Sequence, residues 1–232
     1  MITLQRISKA YGSHRVLDDL TFTAEAGRIT LLVGANGCGK TTTMRLLAGL
    51  SAPDRGRVTI AGHDIARDRA AALAALSFLP QSPRFHGALS VEALLRFYAR
   101  LRNVPDSRAG TLVERWGLGR HLGTPTGKLS GGMRQRLALA ILLLADVPVL
   151  LLDEPGLSLD PDWRGVLQRE LERAARDGRC VFVSTHLLGE WEDRADRCLV
   201  LEGGRIGREL PPNRLRDVFP FASSVMRRAN AV

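Results

Sequence analysis

The stretch Gly34-Ala35-Asn36-Gly37-Cys38-Gly39-Lys40-Thr41 meets every required position of the glycine-rich pattern that cradles phosphate groups. Its glycines let backbone N–H groups turn inward toward an anion. A helix beginning near Lys40 adds the positive end of its dipole. Lys40 is placed to reach the β- and γ-phosphates of a nucleoside triphosphate, and Thr41 to set its hydroxyl on Mg²⁺. Thr42 adjoins them as a further nucleotide-binding candidate. The order strand, loop, helix separates this pattern from a glycine-rich turn that binds nothing. Cys38 is either a small filler in the loop or a thiol lying beside the bound phosphate.

A second chemical signal is the apolar run Val149-Leu150-Leu151-Leu152, which ends in Asp153-Glu154. In a phosphate-loop protein the first carboxylate typically completes the Mg²⁺ shell, often through water. The next can face the γ-phosphate as general base on the attacking water. Asp153 and Glu154 are the candidates for those roles. Two acids at a strand end can also be a solvated terminus. The phosphate loop upstream makes the chemical reading the better one.

A third signal is Leu129-Ser130-Gly131-Gly132-Met133-Arg134-Gln135, ahead of a helical pattern over Arg136 to Ala145. Ser130 suits an N-cap. Gly131 and Gly132 leave backbone amides open at a helix N-terminus, which is another anion site. One nucleotide has little use for two such sites in one small domain. Two chains arranged head to tail resolve this, each covering the nucleotide of the other.

The elements that must position these residues alternate between strand and helix. Ile29 to Val33 is a short apolar run ending at a glycine and predicts a buried strand. A helix is predicted from Lys40 to Leu50, with Leu46, Leu47 and Leu50 on one face. Val58 to Ile60 and Leu76 to Leu79 are further strand candidates. Val147 to Leu152 and Cys180 to Ser184 read as parallel central strands. From about Pro83 to Ala145 strand signals are missing. Ser90 can cap a helix in which Val91, Leu94, Leu95 and Tyr98 recur at helical spacing, and Val113 to Trp116 predicts another short helix. These features predict a helical subdomain inserted into an α/β core with a mostly parallel sheet.

The chain has 232 residues, 45% of them hydrophobic and 25% charged, which suits one soluble domain with an inserted subdomain. Cys38, Cys180 and Cys198 are widely spaced and form neither a disulfide framework nor a zinc pattern, so a reducing compartment fits. No secretory signal is visible at Met1. The apolar runs Leu137 to Ala145 and Val147 to Leu152, split by Asp146, fall short of the roughly 20 residues a membrane span needs. Net charge is +9, from 33 Lys and Arg against 24 Asp and Glu. It suits anionic partners or is simply a solvated surface, and without a dense basic run with aromatics it does not favour nucleic acid.

The sequence resembles the nucleotide-binding subunits of ATP-binding cassette (ABC) transporters from Met1 to about Leu210. The resemblance implies a phosphate-loop NTPase (RecA-like) core over 1–82 and 146–210, an N-terminal antiparallel β part, a helical subdomain over about 83–145, and a short tail over 211–232. It implies ATP and Mg²⁺ as ligands. It further implies that Tyr11 stacks on adenine, that Gln81 links Mg²⁺ and the attacking water to the helical subdomain, and that the loop Ser158-Leu159-Asp160 crosses the dimer interface. His186, in Ser184-Thr185-His186, resembles the switch histidine that contacts the γ-phosphate. Ser130, Gly131 and Gly132 then cover the partner's ATP. Where the family usually has a small hydroxyl residue after Glu154-Pro155, and often glycine two positions later, this chain has Gly156 and Ser158. Both changes are small and keep the loop's shape. The implied partners are membrane-spanning permease subunits and a second nucleotide-binding subunit, forming a homodimer. The implied location is the cytoplasmic face of the cell membrane, reached only through those partners. Lys40-Thr41-Thr42-Thr43 and Gly132-Met133-Arg134-Gln135-Arg136-Leu137 look like exporter cassettes of the ABC-2 type. Drug or lipid export and maturation of a copper enzyme such as nitrous oxide reductase are the substrate alternatives. A soluble ABC ATPase acting on nucleic acid or the ribosome is the alternative from another class.

Overall fold

The computed structural model describes residues 1–186, 188–191 and 193–214. The tail expected over 211–232, with Arg227-Arg228, lies outside the described residues from 215 onward.

Strands β1 (Ile2–Tyr11) and β2 (His14–Ala24) form an antiparallel hairpin in which Tyr11 faces His14 across a two-residue turn. Next come β3 (Ile29–Val33) and α1 (Lys40–Leu47). Strands β4 (Arg55–Ile60) and β5 (His63–Asp64) extend the hairpin into a four-stranded sheet of order β2-β1-β4-β5. After α2 (Arg69–Ala74) and β6 (Leu76–Leu79) the chain leaves for three helices, α3 (Val91–Leu101), α4 (Asp106–Arg115) and α5 (Gly131–Leu144). It returns as β7 (Val149–Asp153), α6 (Pro161–Arg176), β8 (Cys180–Ser184), β9 (Arg197–Glu202) and β10 (Arg205–Leu210). The second sheet runs β10-β9-β3-β8-β7-β6, and only β10 is antiparallel to its neighbour.

Every residue of β3, β7 and β8 is buried, because helices or the first sheet cover both faces. The period-2 alternation of a strand divides them between two cores. Leu150, Leu152, Val181 and Val183 join the core beneath α3–α6. Val149, Leu151 and Phe182 join the core with α1 and the antiparallel sheet. Phe22 stacks on Phe182 with ring centroids 5.3 Å apart, which pins one sheet to the other.

The predicted α/β core, the antiparallel N-terminal part and the helical insertion are all present. Ser90 caps α3 by accepting from the Ala93 N–H at 3.1 Å, and Val91, Leu94 and Leu95 are buried as their spacing predicts. Several boundaries differ. α1 stops at Leu47, where Gly49 turns the chain, so Leu50 is 61% exposed instead of sharing the buried face. α5 starts at Gly131 rather than Arg136, since the Ser130 cap is already engaged there. Val113–Arg115 is the last turn of the ten-residue α4, with Trp116 as its C-cap, and not a separate helix. The Val147–Leu152 strand is shifted to Val149–Asp153. β10 was not legible, because Arg205–Leu210 is mostly exposed and lacks an apolar alternation.

The Phe22–Phe182 stack predicts that Phe182→Ala lowers unfolding stability by about 3–5 kcal/mol, while Phe182→Leu loses much less. Urea unfolding followed by circular dichroism checks this.

Candidate functional site

The phosphate-loop pattern, the carboxylates and the histidine come from three neighbouring strands. β8 lies between β3 and β7, and its Ser184 is level with Leu32 on one side and Asp153 on the other. Gly34, Glu154 and His186 therefore emerge from the same carboxyl edge, where open α/β sheets bind ligands.

The loop enters α1 through Gly39, whose φ of 113° is open to glycine and strained for other residues. A Cβ there would also lie 2.7 Å from Leu17 Cδ2 and 3.2 Å from the Val16 carbonyl, so a side chain would crowd the hairpin as well. Ala35, Asn36, Gly37 and Thr41 are exposed, whereas Lys40 is buried. The Lys40 ammonium donates to the carbonyls of Gly34 at 2.7 Å and Ala35 at 3.1 Å. It thus sits inside the loop's own curve, where a phosphate oxygen can replace a carbonyl acceptor. Thr42 is half-buried in the first turn of α1.

Asp153 is buried at the end of β7 and accepts a short hydrogen bond from the Ser184 hydroxyl. Glu154 follows with φ of 51°, a left-handed backbone that costs an ordinary residue about 1–2 kcal/mol. Its N–H is held by the Ser184 carbonyl at 3.0 Å, with the Ser184 hydroxyl oxygen also within 3.3 Å. The Glu154 carboxylate is nearly buried. Its Oε2 lies 2.8 Å from His186 Nδ1 and accepts from the His186 backbone N–H at 3.3 Å. The strained backbone re-aims the carboxylate toward His186, and strain of this kind gathers at functional sites.

Ser184 was predicted only as the last residue of a strand. The signal available was a lone polar residue closing an apolar run, Cys180-Val181-Phe182-Val183-Ser184. Gln135 was likewise quoted without a role. Its buried amide donates to the Pro155 carbonyl at 2.8 Å and ties α5 to the loop after Glu154. Arg164 holds the same loop from α6, donating to the carbonyls of Leu159 at 2.8 Å and Gly156 at 3.2 Å.

The Ser130 hydroxyl accepts from the Met133 N–H at 3.2 Å and caps α5, while Ser130 and Gly131 face solvent. Asp160 caps α6 and is exposed. Gln81, two residues past β6, is exposed, as is half of Tyr11 at the end of β1. The Lys9 ammonium lies 5.5 Å from the centre of the Tyr11 ring. Thr41, Asp153 and Gln81 carry hard oxygen donors of the kind that suits Mg²⁺. Among the described residues no cluster of three His, Cys, Asp or Glu side chains could hold a metal alone.

The family model for the ABC transporter matches residues 17–156. The chain belongs to the ABC transporter family and carries its ATP-binding domain. It is 41% identical over 209 residues to the probable multidrug ABC transporter ATP-binding protein YbhF of Escherichia coli, covering 88% of this chain and 36% of YbhF. It is 34% identical over 218 residues to Nod factor export ATP-binding protein I of Burkholderia lata, covering 92% and 72%. A solved ATP binding subunit of an ABC transporter superposes with a TM-score of 0.87 at 27% identity, covering 96% of this chain and 94% of that one. The chain spans only 11% of the human phospholipid-transporting ATPase ABCA7, to which it is 32% identical. It therefore corresponds to one part of the longer relatives.

Burial pushes the Cys180 thiol up to about 11 and the Cys198 thiol up to about 12, and both side chains are fully enclosed. Cys38 is half-exposed in the loop. Iodoacetamide at pH 8 should label the folded chain at Cys38 alone, ATP should protect it, and urea should release all three thiols. Peptide mass mapping checks this, and ATP binding unaffected by labelling would remove Cys38 from the phosphate site.

Proposed function

We propose that this chain binds and hydrolyses ATP as one of two paired subunits that energise export through separate membrane-spanning permease subunits. The observation that carries the reading is the Glu154–His186 pair, held on the same sheet edge as the phosphate loop. Phosphoryl transfer needs positioning and charge stabilisation more than covalent chemistry. Lys40 and the loop amides supply charge stabilisation at the transferred phosphate. Thr41 and Asp153, with Gln81, hold Mg²⁺, which when bound neutralises charge on the phosphates. Glu154 takes the proton of the attacking water, and His186 keeps the carboxylate aimed. Tyr11 offers an exposed ring for adenine.

Pairing follows from the second helix terminus. Ser130 and Gly131 are exposed at the start of α5, and Ser158 and Asp160 are exposed beside them. Two chains placed head to tail set each such terminus over the other chain's nucleotide. The helical region next to Gln81 then passes closure to the permease. No described helix is long and apolar enough to cross a membrane. In this reading the chain works at the cytoplasmic face of the membrane through its partners. The export direction is supported by the names of the multidrug and Nod factor relatives and by the ABC-2-like motif residues.

Glu154→Gln should lower ATP turnover by about 10²–10⁴-fold while ATP still binds. In Mg-ATP this variant should elute as a dimer on size exclusion. Unchanged turnover would reject Glu154 as the base, and a monomer saturated with Mg-ATP would reject the pairing. His186→Ala should lower kcat and leave ATP affinity nearly unchanged, read by isothermal titration beside steady-state ATPase.

A further inference from the structure

Three segments meet at a stack of two indoles and a guanidinium. Trp116 closes the end of α4 and is fully buried. Its ring stacks on Trp163 with centroids 6.2 Å apart and planes 21° apart. The guanidinium of Arg136 on α5 lies 4.3 Å over the Trp163 ring on α6, and its Nη1 donates to the Trp116 carbonyl at 3.2 Å. Arg136 thus touches both the end of α4 and the start of α6. Gly117 has φ of 59°, and a Cβ there would come within 2.9 Å of the Trp163 ring, so the turn after Trp116 is built around that indole.

The stack sits behind the two surfaces that a paired chain would meet. Trp163 lies in the first turn of α6, where its backbone N–H donates to the Asp160 carboxylate at 3.0 Å. Arg136 lies less than two turns along α5 from the Ser130 cap. The two surfaces also abut directly, since a Cβ on Gly132 would be 3.0 Å from the Ser158 carbonyl. Burial lowers the Arg136 pKa, and the Asp160 carboxylate opposes that shift, which links the guanidinium to the crossing loop by charge as well. A planar cation over an indole fixes orientation in a way that a lysine ammonium does not.

We infer that Arg136 and Trp163 are positioning residues that lock the Ser130-Gly131-Gly132 terminus in register with the Ser158–Asp160 loop, so that their effect is felt at the nucleotide of the paired chain and not at their own. The inference rests on the head-to-tail reading above. It assigns no contact with substrate to either side chain.

The test separates action in cis from action in trans. Arg136→Ala and Trp163→Ala should each lower ATP turnover about tenfold or more, as misplacement by a fraction of an ångström to an ångström can. Neither should change the ATP affinity of the isolated chain; Trp163→Ala, which removes an indole packed on Trp116, should lower the melting temperature, so turnover is compared well below it. Trp163→Phe, which keeps an aromatic platform, should restore most turnover. Equal amounts of the Arg136→Ala chain and a Lys40→Ala chain should then regain activity, because the mixed pair holds one site with an intact phosphate loop and an intact facing terminus. Gly131→Asp is the control for the pairing itself. It places a negative charge at the terminus, where a side chain meets no atom within 4 Å. If Gly131→Asp is rescued by Lys40→Ala but Arg136→Ala is not, Arg136 acts on its own nucleotide and the inference is overturned. If neither is rescued, the head-to-tail reading falls and the inference with it. Unchanged turnover in both alanine variants, or weakened ATP binding by the isolated chain, also overturns it.

Discussion

The site depends on the parallel register of three strands. The ladder of β8 holds Ser184 opposite Leu32 of β3 and Asp153 of β7. That alignment brings the phosphate loop, the acidic pair and the histidine to one edge, although the loop lies more than a hundred residues before the other two. A shift of one residue in β7 would turn its buried side chains to the opposite core and carry Asp153 and Glu154 out of line. The register is protected by burial on both sides, since Leu150 and Leu152 fill one core while Val149 and Leu151 fill the other.

Around that edge the chain concentrates backbone strain and buried charge. Glu154 is held in a left-handed backbone by the Ser184 carbonyl, and its carboxylate is buried against His186. Lys40 is buried against carbonyls of its own loop. Each of these groups is partnered within the chain, and each partner is one that a triphosphate or its attacking water can displace or share. The rest of the fold keeps them in place. Gln135 and Arg164 hold the loop after Glu154 from α5 and α6, which joins the helical insertion to the carboxyl edge of the sheet. The indole stack extends the same connection to the end of α4.

The local motifs of the site were legible because their spacing is fixed by chemistry. A glycine-rich turn before Lys40-Thr41, an apolar run before two acids and a serine before two glycines each form a pattern in adjacent residues. The roles of Ser184, Gln135 and Arg164 were not legible, because each acts on backbone atoms far away in sequence. The Trp116–Trp163–Arg136 stack has no local signal for the same reason, since it joins the C-cap of α4 to α5 and α6. Helix ends were read imperfectly where a cap decides them. Leu50 matches the apolar period of α1 but follows Gly49, and so it faces solvent.

By itself the sequence determined that a parallel α/β sheet with a helical insertion would form, since runs such as Ile29–Val33 and Val149–Asp153 have no stable place except between two covered faces. It also determined the phosphate-binding loop, whose pattern leaves few alternatives. Only the tertiary structure decided which groups meet. Strand order placed β8 between β3 and β7, and thereby paired His186 with Glu154. Strand order is a property of packed layers and long-range hydrogen bonding, and no local propensity encodes it.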